Sequence, residues 1–219
     1  MSLKTSTLLI IVILLIDQIS KFYIKTHFAL NEKIEVLSWF QIAFVENEGM
    51  AWGTKLSDFI AVISDRTAKV SLTVFRIFAV TGIIYWLNKS IKTQGSKTLI
   101  FAIALILAGA IGNIIDSVFY GMIFDSSLGQ VATFLPEQGY DTIFHGKVVD
   151  MLHFPIWSGN LPNWIPFFGG DAFSFFDPVF NIADMAISTG IGILIVFNKR
   201  AFGSSTSHQE TENLDDQNS

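Results

Sequence analysis

Four long apolar runs, separated by segments of mixed texture, set the pattern of this chain. A helix needs roughly 20 mostly apolar residues to cross the ~30 Å hydrocarbon layer of a bilayer. The runs at about 5–24, 70–87, 98–115 and 178–197 approach that length. The first is uninterrupted only from Leu8 to Ile16 and follows Lys4, features that a secretory signal peptide would share. No small-x-small cleavage site comes after it. Asp17, Gln18, Lys21, Phe22, Tyr23 and Ile24 instead continue the helical pattern, so the run reads as a span.

Between the runs lie two large loops, about 25–69 and 117–177. Residues 34–54 mix β-branched and aromatic residues with a glycine-containing turn, which predicts short strands on the membrane surface. Residues 155–177 place Trp157, Trp164, Phe167, Phe168, Phe173, Phe175 and Phe176 among glycines and prolines, the texture of an interfacial aromatic belt. Lys89, Lys92 and Lys97 form the tightest basic cluster, so the hairpin between spans two and three is expected in the cytoplasm. Lys4, Lys199 and Arg200 agree, which puts both termini inside and both large loops outside. The sequence thus divides into a membrane domain, 1–202, and a solvated, disordered tail, 203–219, without apolar periodicity.

Composition narrows the function classes. Of 219 residues, 51% are hydrophobic, 15% are charged and 21 are Phe, with a mean hydropathy of +0.49. These values exclude a disordered chain and an ordinary cytosolic enzyme. The net charge is −5 and the 14 basic residues are scattered, so no basic stripe exists to engage nucleic acid. With no Cys, and four His outside any HExxH motif, neither a metal nor another cofactor is expected.

Polar residues inside the spans carry the candidate chemistry, because charge in hydrocarbon is costly and marks function or a protein interior. Asp17 and Lys21 stand at i,i+4 on the first span, which reads structurally as a helix-end pair reaching outward. Arg76 lies in the second span. Asn113 and Asp116 in the third, and Asn181 and Asp184 in the fourth, each stand at i,i+3 and would share a helix face. Asp177 as N-cap and Pro178 in the first turn would set Asp184 about 10 Å into its helix. By spacing alone, Asp116 is the partner of Asp184. Asn47 and Gly49 read as a turn, and Asp150 as a solvated loop carboxylate.

Five ordered segments change that ranking: DQISK at 17–21, NEGMAWG at 47–53, GNIID at 112–116, VVDMLHF at 148–154 and FNIAD at 180–184. Together they resemble the lipoprotein signal peptidases, the type II signal peptidases of bacteria, over nearly the whole chain. The resemblance implies an all-α integral membrane protein of the inner membrane with four transmembrane helices, a small periplasmic β-cradle at 34–54 and a short amphipathic periplasmic helix at roughly 55–68. It implies an aspartyl endopeptidase that cuts prolipoproteins before a diacylglyceryl-modified cysteine, near the periplasmic face. The catalytic aspartates fall on Asp150 and Asp184. Asp17, Lys21, Asn47, Gly49, Asn113, Asp116 and Asn181 take supporting or substrate-contacting roles. The expected partners are prolipoproteins and membrane lipids, with the enzyme a monomer.

Two departures stand out. The family pattern GNxxDR ends here in Ser117, for which Arg76 is the natural substitute, and 117–149 is much longer than usual. The chief rival from another class is a small proton-coupled transporter, for which intramembrane Asp, Asn and Arg are equally natural. It predicts internal repeats, and only the Asn-x-x-Asp echo is present.

Overall fold

The computed structural model describes residues 1–48, 64–155, 157–160, 162–164, 169–175 and 178–203. In chain order the elements are helix α1 (Leu3–His27), strands β1 (Lys33–Leu37) and β2 (Phe40–Asn47), helices α2 (Asp65–Lys92) and α3 (Lys97–Ile123), strands β3 (Val148–His153), β4 (Trp157–Asn160), β5 (Ala172–Phe175) and β6 (Val179–Phe180), and helices α4 (Ile182–Val196) and α5 (Asn198–Phe202). They fall into two units. One comprises Met1–Gln18, Thr73–Ile114 and Ile182–Ser219, and the other Ile19–Leu72 and Ile115–Asn181.

Local chemistry explains where the long helices begin and end. The Ser64 hydroxyl accepts the Thr67 amide at 3.2 Å to cap α2, and the Ser96 hydroxyl accepts the Leu99 amide at 3.1 Å to cap α3. Between them the chain turns through Gln94 at φ 52°, and the Gly95 amide donates to the Ser90 carbonyl, satisfying a carbonyl in the last turn of α2.

In the first unit, Leu87, Ile100, Ile103 and Leu107 form the buried core. The α3 portion is the most enclosed, and its contact with α4 is made by small residues. A Cβ on Gly109 would stand 2.1 Å from the Ala183 carbonyl oxygen, and one on Gly190 would stand 2.7 Å from that of Ala102. Only glycine permits that backbone approach. Large apolar side chains face outward, among them Phe75, Phe78 and Tyr85 of α2 and Ile195 and Val196 of α4, an apolar surface too continuous for water.

Among the described residues, α1, α2 and α3 are long and apolar enough to cross a membrane. The expected fourth span, 178–197, is corrected. Val179 and Phe180 pair with His153 and Leu152 as strand β6, so Pro178 precedes a strand rather than opening a helix. The apolar helix α4 has 15 residues, about 22 Å at 1.5 Å per residue. Asp184 consequently stands in the first turn, not two turns in, and Asn181 precedes the helix rather than sharing a face with Asp184.

The second unit corrects the all-α expectation. It holds an antiparallel sheet in the order β1-β2-β3-β6 and a separate β4-β5 hairpin. The strands expected within 34–54 are present as β1 and β2, whereas 49–63, with most of the expected amphipathic helix, lies outside the described residues; the rest of that segment opens α2. Ile24, Phe28, Phe44, Tyr120, Phe124, Val149 and Met151 form the core of this unit. Of the expected aromatic belt, Trp164 is 81% exposed; residues 165–168, 176 and the tail from 204 lie outside the described residues.

The long segment after Asp116 folds back on its own helix. α3 runs on to Ile123, and the returning chain donates amides from Leu135, Tyr140, Asp141, Phe144 and Gly146 to the carbonyls of Ile123, Phe124, Gly121, Val118 and Ser117 respectively. Of these, Gly121 and Ile123 lie in the last turn, whose carbonyls a helix C-terminus leaves without intrahelical partners. A Cβ on Gly146 would meet the Asp116 carbonyl oxygen at 1.9 Å, and one on Gly139 that of Gly121 at 2.3 Å, so the two glycines permit the return.

Candidate active site

In the first unit, Asp17 is fully buried and receives the amide of Ala183 on Oδ1 at 2.9 Å. A carboxylate there satisfies an orphan donor of the α4 N-terminus and complements the helix dipole. Gln18 Nε2 donates to Asp17 Oδ2 at 3.1 Å and to the Gly112 carbonyl at 3.2 Å. Gly112 leaves the room, since a Cβ on it would stand 2.7 Å from Asp17 Oδ2. At the next residue of α4, Asp184 accepts from Asn113 Nδ2 at 2.8 Å. The Asp184 charge also acts on the half-buried Arg76 guanidinium.

In the second unit, Lys21 Nζ lies 2.8 Å from Asp116 Oδ2, both side chains fully buried. The outward-reaching reading of Asp17 and Lys21 is therefore overturned. Asp116 also accepts the Val149 amide at 3.3 Å, which ties α3 to β3. Asp116 thus holds a lysine and a strand amide.

Asp150, one residue further along β3, is 2% exposed, against the solvated loop position that its local sequence suggests. Its Oδ1 accepts from Asn181 Nδ2 at 2.7 Å and its Oδ2 from Asn47 Nδ2 at 3.2 Å. Register explains the second bond. Val45 stands opposite Asp150, and Asn47 follows two residues on, on the same face of the sheet at the diagonal position. Asn181 Nδ2 also reaches the Val149 carbonyl at 3.3 Å. Gly49 lies outside the described residues. Ser117 is buried, and its carbonyl accepts the Gly146 amide.

A buried ionic cluster escaped the reading of the sequence. Lys25 Nζ lies 2.5 Å from Glu46 Oε1 and 3.0 Å from Ser127 Oγ, and 4.9 Å from the centre of the Tyr140 ring. Burial pushes the Glu46 carboxyl up, but the Lys25 ammonium and its hydrogen bond, with Lys147 and the Ser127 hydroxyl, outweigh it and hold the group below its ordinary value. Burial pushes the Tyr140 hydroxyl up. One signal for Lys25 was available, since Asp17, Lys21 and Lys25 recur every four residues and share one helix face.

A family model described as signal peptidase (SPase) II matches residues 9–136 and 137–199. The lipoprotein signal peptidase of Porphyromonas gingivalis is 46% identical over 195 residues, covering 88% of this chain and 82% of its own. That of Amoebophilus asiaticus is 37% identical over 190 residues, covering 85% and 73%. A solved bacterial membrane enzyme shares the fold with a TM-score of 0.57 at 23% identity, covering 93% of both chains.

Proposed function

This chain belongs to the signal peptidase II family, a family of membrane proteases, and on that premise we propose that it removes the signal peptide from prolipoproteins by intramembrane aspartyl hydrolysis, with Asp150 and Asp184 as the catalytic pair. The observation that carries this reading is the holding of each carboxylate by asparagine carboxamides: Asn47 and Asn181 on Asp150, and Asn113 on Asp184. A carboxamide NH2 donates without carrying charge, so it fixes a carboxylate in one rotamer while leaving proton exchange open.

Peptide hydrolysis needs an activated water and a proton for the leaving amine, and a carboxylate pair supplies both without a metal. The ionised member takes a proton from water as the oxygen attacks the carbonyl carbon. The protonated member hydrogen-bonds the carbonyl oxygen and its proton goes to the amine as the C–N bond breaks. Asp17 and Lys21–Asp116 hold the backbone that bears the pair, and Arg76 supplies the cation that family members carry at 117. The substrate is a prolipoprotein cut before its diacylglyceryl-modified cysteine. The protein works as a monomer among lipids of the bacterial inner membrane, with both termini in the cytoplasm and the reaction near the periplasmic face.

The test is turnover of a lipidated prolipoprotein by the detergent-solubilised protein, read as a mobility shift. Asp150→Asn and Asp184→Asn should each lower the rate by at least about a hundredfold without changing expression or membrane insertion. A fully active Asp150→Asn enzyme together with an inactive Asp116→Asn enzyme would overturn the assignment of the pair.

A further inference from the structure

β2 has two faces with different work. Alternation puts Asn47 on the face of Val45 and Asp150 and Glu46 on the other, and Glu48 follows the last residue of the strand. Asn47 pairs with Val148 at the end of the strand ladder, where a strand frays most readily. Its carboxamide nevertheless meets Asp150 Oδ2. What lies behind it is a line of alternating charges. Lys25 sits on Glu46 Oε1 at 2.5 Å, Lys147 lies 3.3 Å from Glu46 Oε2 and 3.9 Å from Glu48 Oε1, and Lys69 reaches Glu48 Oε2 at 2.5 Å. The two glutamates flank Asn47 on either side in the chain. The three lysines come from α1, from the residue before β3 and from α2.

Buried ion pairs are poor sources of net stability, because desolvation offsets the attraction, but they impose one geometry on the groups they join. The Glu46 side chain is 6% exposed and that of Lys25 1%, so geometry is what this pair supplies. We propose that the line Lys25–Glu46–Lys147–Glu48–Lys69 is a positioning device for the Asn47 carboxamide, clamping the end of β2 from behind so that the amide stays aimed at Asp150. The inference rests on Asp150 being catalytic, as proposed above. Lys147 belongs to the long segment after Asp116, which thereby gains a part in the reaction.

Lys147 and Glu48 are partly exposed, 29% and 37% at the side chain, so substitutions there should leave the fold intact. With full-length protein and a lipidated prolipoprotein, Lys147→Met should lower kcat about fivefold or more, since small misplacements of a reacting group cost this much, with KM nearly unchanged. Glu48→Gln should act in the same direction, and Lys147→Arg, which keeps the cation, should retain most of the rate. In an Asn47→Ala background Lys147→Met should change kcat by less than about twofold, because its effect passes through Asn47. Independent multiplicative losses in the double variant would overturn the inference. A readout free of turnover is proton exchange of the Asn47 side-chain amide, followed by selective asparagine labelling. It should be slow in the parent and accelerate about tenfold or more in Lys147→Met, as expected when a local hydrogen bond loosens; unchanged exchange would overturn the positioning role. The same acceleration in Lys147→Met, with a parent protein that does not cleave the substrate, would overturn the proposed function instead.

Discussion

Asp17 is the residue where charge and backbone meet most directly. Its carboxylate receives the Ala183 amide, one residue before the one proposed to react. Asp17→Ala should cost about 0.5–2 kcal/mol, the usual penalty for a lost N-terminal cap, visible as a lower unfolding temperature in detergent. It should also slow prolipoprotein cleavage, while Asp17→Asn, which keeps an acceptor oxygen, should do less on both counts. Asp17 stood out in the sequence as a carboxylate at the end of an apolar run, but its i,i+4 spacing to Lys21 read as a helix-end pair reaching outward, so its burial was not legible. Nor was its partner, since Ala183 stands 166 residues away and an amide carries no sequence mark. Glu46 was illegible for a related reason: an acidic residue in a mixed strand reads as solvated until Lys25 and Ser127 are brought against it.

Among the elements, α3 and α4 show how little side chain a helix contact can contain. Gly109 faces the Ala183 carbonyl so closely that Gly109→Val should force the helices apart, costing about 1–3 kcal/mol as an overpacked contact and displacing the turn that bears Asp184. Thermal unfolding and turnover should fall together; a Gly109→Val protein with parental melting and rate would show the contact to be dispensable. Three helices were legible because an apolar run of sufficient length leaves little alternative. The start of α4 was not. Pro178 is as good an opening residue for a helix as for an edge strand, and the decision rests on Val179 and Phe180 finding β3, a pairing that no local pattern announces.

For the whole molecule, membrane character followed from composition, and the five ordered segments carried the family. The course of residues 124–147 could not be inferred, because that stretch has neither helical nor strand periodicity and many of its bonds run to carbonyls at the end of α3. Acid should expose its dependence on charge. Glu46 is held below its ordinary value of 4.5 in the folded state, so the unfolded chain takes up the proton first. Its contribution to stability is present above about pH 4.5 and is lost as pH falls further through the lower folded value. The unfolding temperature should drop over that range, and Glu46→Gln should make the drop shallower; an identical acid profile in the two proteins would remove Glu46 from the account.

The return of the chain along α3 also decides where its length can change. Gly129, at φ 70°, has open space around its Cβ position, so a short tag inserted between Gly129 and Gln130 should leave cleavage intact. Gly146 is anchored to Ser117 and β3 opens two residues later at Val148. Successive strand residues point to opposite faces, so a slip of one residue would turn Asp150 away from Asn47. Deleting Lys147 should abolish cleavage far more completely than replacing it, whereas deleting Gln130 should be tolerated, making the distance from Gly146 to Asp150 a ruler and the bend at Gly129 mere slack.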